Sequence, residues 1–278
     1  MLRSNSHSVP ALAAAFGAAY PALSTLPNRQ EEWRNTDAVS DAERVNTPDG
    51  AASTASRTPS NRADYLGDYL GDYLGDPAVQ AEWDARYADR EQLWSGQPNG
   101  ALVAEVAGLT PGRVLDVGCG EGADAVWLAK GGWNVTALEV SGLALERAAE
   151  HAADADVAIH WVHAELAQAD LVPGSFDLVS ALYPALLRTP DGISERALLA
   201  AVAPGGTLLL VHHAGFEGQP PNESGFDPAD YVWPRMVSAL LDDDWVIETD
   251  EHRPRIRPDG GAGAHHADDV VLRARRLR

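Results

Sequence analysis

The residues of this chain best suited to chemistry lie in one short run, Val114-Leu115-Asp116-Val117-Gly118-Cys119-Gly120-Glu121-Gly122. Glycines at alternate positions let a backbone turn sharply and pass close to a bound group. If a strand precedes this turn and a helix follows it, the helix's first N–H groups favour negative charge at the same place. Asp116 stands two residues before the first glycine, where a carboxylate can hold a cationic amino group. Glu139 lies 21 residues after Gly118, where an acid can accept both hydroxyls of a ribose. Cys119 is the only cysteine, so no intrachain disulfide forms, and with no base in its motif it reads as a small turn residue rather than a nucleophile. His212 and His213 are adjacent, so on a strand they point to opposite faces and cannot share one ion. His265 and His266 fall in a glycine-rich loop without further ligand spacing. No metal is expected.

These residues need a scaffold, and the sequence supplies alternating strand and helix signals. A short β-branched run, 113–117, precedes a helix at 123–130, then a strand at 134–140 and a helix at 143–153. Strands at 158–162 and 176–182 follow, then a helix at 194–202 and a strand at 207–212 after Pro204-Gly205-Gly206. Such alternation implies a Rossmann-like, mostly parallel sheet with helices on both faces. Beyond it, helical 236–241 and extended 245–248 and 270–273 suggest an antiparallel hairpin on the sheet edge. Upstream, Val79, Trp83 and Tyr87 form one stripe of a helix over 77–92, and a turn at 95–100 leads to a helix at 101–107.

Acids outnumber basic residues 41 to 21, a formal charge of −20. Such a field repels polyphosphate, so nucleic-acid binding is not expected. No apolar run is long enough to span a bilayer, and a cytoplasmic protein is expected. Residues 1–62 are Ser/Thr/Pro/Ala-rich in part and read as a disordered segment; Val9 to Leu23 is a poor signal-peptide match, broken by Gly17 and Pro21. Residues 63–76 hold three copies of Asp-Tyr-Leu-Gly, from Asp64, Asp68 and Asp72, and read as a linker. One folded domain is expected over 77–278. Nothing in the pattern sets an oligomeric state.

Two cofactor classes suit a glycine turn with a second-strand acid. Gly118-x-Gly120-x-x-Ala123 satisfies a dinucleotide fingerprint, which would suit an NAD(P)-dependent oxidoreductase. Against it, Asp116 stands where a cation would bind and Glu121 would face a pyrophosphate. Taken together, Asp116-Val-Gly-Cys-Gly-Glu-Gly, Glu139, Pro204-Gly205-Gly206 and the helix–hairpin end resemble the class I S-adenosylmethionine-dependent methyltransferases over residues 77–278. Trp83-Asp-x-Arg-Tyr87 and Leu93-Trp94-Ser95-Gly96-x-Pro98-Asn99 resemble the small-molecule branch near the tellurite-resistance and thiopurine enzymes.

The resemblance implies a seven-stranded sheet and methyl transfer from S-adenosyl-L-methionine to a small molecule. It implies that Asp116, Gly118, Cys119 and Gly120 line the methionine end, that Glu139 binds the ribose, and that Ala164 and Glu165 contact the adenine. Residues 180–183, Ala181 among them, would flank the sulfonium and the acceptor. Trp83, Tyr87 and Trp94 would serve partly as a lid. Tyr183 and His213 are the candidates for contact with the reacting groups, His213 as a proton acceptor. The acceptor atom, N, O, S or a metalloid, is left open. Arg253, Arg255 and Arg257 form a small basic strip, by default a solvated edge and otherwise a contact for an anionic substrate. A methyltransferase-like protein that binds without turnover is the remaining alternative.

Overall fold

The computed structural model describes residues 73–221, 227–256 and 266–278. The readings of 1–62, of the repeat up to residue 72, and of His265 lie outside the described residues. Seven strands form one sheet: β1 (Arg113–Val117), β2 (Asn134–Glu139), β3 (His160–His163), β4 (Phe176–Leu182), β5 (Val202–His213), β6 (Trp245–Pro254) and β7 (Asp268–Arg276). Their order is β3-β2-β1-β4-β5-β7-β6. The first five pair in parallel, and β7 inserts antiparallel between β5 and β6. The described helices are α1 (Pro77–Ala88), α2 (Gly100–Glu105), α3 (Ala123–Lys130), α4 (Gly142–Asp154), α5 (Ile193–Ala201) and α6 (Pro234–Ser238).

Side chains alternate between the faces of a strand, and the core divides accordingly. Val114, Val135, Ala137 and Leu209 join Leu102, Leu128, Leu145 and Ala148 from α2, α3 and α4. On the other face Leu115, Val117, Val179 and Leu208 pack with Leu198 of α5 and Val237 of α6. Asp116 shares the face of Val114 by this period. Strand order reverses between β1 and β4, the place where open α/β sheets bind ligands beyond their strands' carboxyl ends.

Several element boundaries differ from the sequence expectation for physical reasons. The third strand begins at His160, because Val157 N–H still bonds the Ala152 carbonyl at the end of α4 and Asp156 has φ +54°. β6 runs to Pro254 although its exposed residues carry no hydrophobic period, because it pairs with β7 along its whole length. α1 stops at Ala88, short of residue 92.

The linker reading of 63–76 needs correction at its end. Leu74 adds a parallel bridge beside β3, its N–H bonding the His163 carbonyl (3.1 Å) while its carbonyl accepts from Glu165 N–H (2.8 Å). The Tyr73 ring packs at 4.8 Å on that of His163, and its hydroxyl donates to Glu165 (3.2 Å). Asp76 caps α1 through Ala78 N–H (2.9 Å). Residues 73–76 therefore belong to the fold. No described helix is long and apolar enough to cross a membrane.

Candidate functional site

The carboxyl ends of the strands open into a cavity of about 300 Å3. β1 leads straight into the glycine turn, where Gly118, Gly120 and Gly122 all have φ between +52° and +82°, the left-handed region that favours glycine. Gly118 and Cys119 N–H both bond the Leu138 carbonyl at 2.8 and 3.0 Å, which ties the turn to β2. At Gly120 a Cβ would come within 3.0 Å of the Tyr87 hydroxyl. α3 then starts at Ala123, giving the strand–turn–helix context the motif requires.

Asp116 is buried at the cavity wall. Its Oδ1 accepts from the Ser180 hydroxyl (3.2 Å), while Oδ2 is buried with no hydrogen-bond partner. Burial, and then the Asp124 carboxylate, push its pKa well above the usual range. Glu139 is also raised by burial, against three backbone donors: Gly120 N–H to Oε2, and Val140 and Ser141 N–H to Oε1, each at 3.0 Å. Those donors aim its carboxylate at the turn. Cys119 lies on the wall with its thiol pushed up by burial and by the Asp116 and Glu139 charges, so it stays protonated.

Three sequence expectations fail on geometry. Ala164 is fully buried and off the cavity wall; its N–H bonds the Glu139 carbonyl at 3.1 Å, so it is not available to an adenine ring. Ala181 is also fully buried in the core, and it is Leu182 and Tyr183 that reach the cavity. Glu121 does not present its charge to a ligand. Its oxygens accept from Leu93 N–H (3.1 Å), Trp94 N–H (2.9 Å) and Arg147 (2.8 Å). Glu165 does reach the wall, but its Oε1 also holds Asp76 N–H at 2.6 Å.

Glu121 and Asp124 pin the segment after α1 across the glycine turn. Asp124 accepts from Asn99 N–H (2.7 Å) and from its side-chain amide (2.8 Å). Arg147 reaches back to the Tyr87 and Arg90 carbonyls at 2.9 and 2.8 Å. Trp83, Tyr87 and Trp94 consequently line the cavity, and Trp94 Nε1–H donates to the Tyr87 hydroxyl (2.9 Å). The adjacent histidines do point apart. His212 is buried against the Trp233 ring, with its pKa pushed down to about 3 by burial, and His213 reaches the cavity.

At the far end, Tyr183 has φ +52°, a strained position for an aromatic residue. Its ring stacks on His213 at 4.2 Å, and its hydroxyl donates to Asp269 (3.0 Å). Arg255 meets His213 Nδ1 at 3.1 Å and lies 4.6 Å over the Tyr183 ring. A guanidinium only donates, so Nδ1 accepts here. That orientation does not suit His213 to receive a proton at Nδ1. Asp269 gave no sequence signal, since the second of two adjacent acids at the start of a strand looks like any solvated residue.

A methyltransferase-domain family model matches residues 114–206, from β1 through the turn before the long run of β5. Residues 114–206 thus match a methyltransferase domain, over about a third of the chain. The chain is 36% identical over 110 residues to a ubiquinone biosynthesis O-methyltransferase of Pseudomonas aeruginosa, covering 39% of this chain and 47% of that one. It is also 36% identical over 123 residues to an uncharacterized methyltransferase of Mycobacterium bovis, covering 44% and 61%. The chain thus spans only about half to three-fifths of the length of these curated relatives. In fold it resembles a protein solved in work on thioacetal formation during echinomycin biosynthesis, with TM-score 0.55, 22% identity, and 71% and 92% of the two chains covered. An S-adenosylmethionine-dependent methyltransferase from Mesorhizobium loti matches with TM-score 0.50 and 22% identity, over 63% and 96%.

Proposed function

We propose that this protein transfers a methyl group from S-adenosylmethionine to a small-molecule acceptor held in the same cavity. The observation that carries the reading is the buried Asp116 Oδ2, which has no protein donor and lies beside the turn of Gly118 and Gly120. A buried carboxylate oxygen without a partner is costly, and a ligand ammonium at this point would satisfy it. Glu139, aimed at the turn by three backbone donors, would take the ribose hydroxyls, and Cys119 and Glu165 would form the adjoining wall. When bound, the cofactor supplies an electrophilic methyl on a sulfonium.

The residues of the chain would contribute position and exclusion of water rather than a nucleophile. Asp116 and Glu139 fix the ligand's two ends, and the Trp83, Tyr87 and Trp94 segment covers it. Tyr183, clamped by Asp269, sets the wall where the acceptor would lie. The O-methyltransferase name of the Pseudomonas aeruginosa relative makes oxygen the acceptor atom to test first. Calorimetry with S-adenosylmethionine, S-adenosylhomocysteine and NADPH tests the reading. Binding of the two sulfur ligands and not of NADPH is expected; the reverse order would overturn it in favour of an oxidoreductase.

A further inference from the structure

The residues just before α1 act on the cavity wall through Glu165, the acid that follows β3 and lines the cavity. The backbone N–H of Glu165 bonds the Leu74 carbonyl at 2.8 Å. Its Oε1 accepts from the Tyr73 hydroxyl (3.2 Å) and from the Asp76 N–H (2.6 Å). Main chain and side chain are thus fixed together. Both side-chain bonds fall on Oε1, and Oε2 receives none from the described residues.

Tyr73 is itself held in place. Its ring packs on His163 at 4.8 Å. His163 Nε2 meets the Val140 carbonyl at 3.1 Å, and a carbonyl only accepts, so this nitrogen carries the hydrogen. Val140 in turn donates its N–H to Glu139 (3.0 Å). Burial, and then the Glu165 charge, push the Tyr73 pKa up, so its hydroxyl stays protonated and donates. At Gly75 an added Cβ would strike both the Tyr73 hydroxyl and Glu165 Oε1, so glycine is what lets the chain bring both donors onto one oxygen.

The acids of this half of the wall follow the strand order. Asp116 lies on β1, Glu139 ends β2 and Glu165 follows β3, and these strands are neighbours in the order β3-β2-β1. With an ammonium at Asp116 and a ribose at Glu139, the base joined to that ribose lies beside β3. A carboxylate only accepts, so Glu165 Oε2 suits a base that presents an N–H donor. A half-buried glutamate left free would lose rotamer freedom on meeting it. One already clamped is pre-organised and does not.

We infer that Tyr73, together with the Asp76 N–H, is a positioning residue of the cofactor site, holding Glu165 Oε1 so that Oε2 meets the amino group of the nucleoside base. This rests on the methyl-transfer reading, and it makes the end of the repeat part of the site. The clamp also sets polarity. In Glu165→Gln the same two donors would claim the amide oxygen, and the amide nitrogen, a donor, would face the ligand.

The test titrates the full chain calorimetrically with S-adenosylhomocysteine and with S-inosylhomocysteine, in which a carbonyl oxygen replaces the amino group of the base. The wild type should prefer the amino ligand at least about tenfold, the scale of a charge-assisted hydrogen bond. Tyr73→Phe keeps the ring beside His163 and removes the donor. The preference should then fall about 2- to 10-fold, the scale of ordering one rotamer-rich side chain. Glu165→Gln should reverse the preference, and adding Tyr73→Phe should weaken that reversal. A merely structural role for Tyr73 would weaken both ligands alike and leave their ratio unchanged. The proposal is overturned by that unchanged ratio, by a wild type without preference, or by a Glu165→Gln variant that still favours the amino ligand. If neither sulfur ligand binds the wild type, the methyl-transfer reading falls and this inference with it.

Discussion

Replacing Asp116 with asparagine should move stability and ligand binding in opposite directions. In the free chain its carboxyl is buried, gains one hydrogen bond from Ser180, and leaves Oδ2 unpartnered. Burial and then Asp124 raise its pKa. A carboxyl whose folded pKa exceeds the unfolded one stabilises below the unfolded value and loses that contribution as pH rises through the folded value. At neutral pH Asp116 therefore weakens the free fold, and Asp116→Asn removes the buried charge while keeping the shape. Asparagine still buries a polar atom, so a gain of about 1 kcal/mol, or about 2–4 °C in Tm, is expected. The gap should narrow as pH falls below the folded pKa of Asp116. Loss of the contact to a ligand ammonium should cost about 1.5–3 kcal/mol, about 10- to 150-fold in affinity. Thermal melts across pH, with and without saturating S-adenosylmethionine, read both effects. With ligand the order should invert, since ligand stabilises in proportion to affinity. A variant that melts below the wild type when free, yet binds with full affinity, would show Asp116 to be only a turn-former.

Glu139→Gln should behave differently, because all three backbone donors of Glu139 demand acceptors. The amide turns one of its two oxygens into a donor, so Tm and affinity should fall together, affinity by about 1–2 kcal/mol. Glu121→Ala should cost about 3–5 kcal/mol, the scale for stranding one partner of a buried ion pair. It strands Arg147 and frees the Leu93 and Trp94 N–H groups. Hydrogen exchange should then rise at residues 93 and 94 more than in β1; an unchanged pattern would show that the segment is held without this carboxylate.

The glycine-turn half of the fold was legible because each feature is local. The glycine turn, the strand before it, the helix after it and Glu139 all lie within residues 113–139, and their period and spacing need no long-range information. What escaped was decided at a distance. Glu121 reads as a ligand-facing acid from its place in the turn, yet partners 26 to 28 residues away claim its oxygens. Arg255 was read by default as a solvated edge, because a basic strip near an exposed strand gives no sign that the strand's end meets β5 and β7. Ala164 was assigned to the adenine by position after β3, but its N–H is taken by the Glu139 carbonyl across the strand pair.

The repeat shows the same limit from the other side. Tyr73-Leu74-Gly75-Asp76, the end of the repeat, has the composition of a linker, yet each of these four residues has a defined structural part. Tyr73 packs on His163, Leu74 pairs beside β3, and Asp76 caps α1. At Gly75 an added Cβ would strike the Tyr73 ring and hydroxyl and come within 2.7 Å of Glu165. Tyr73 and Glu165 form a hydrogen bond across 92 residues, so no window of local sequence could reveal it. The consequence reaches the site, because Glu165 is both a wall of the cavity and the anchor of this unit. Both of these contacts fall on Oε1 of Glu165, so the same carboxylate that lines the cavity holds the residues beside β3 in place.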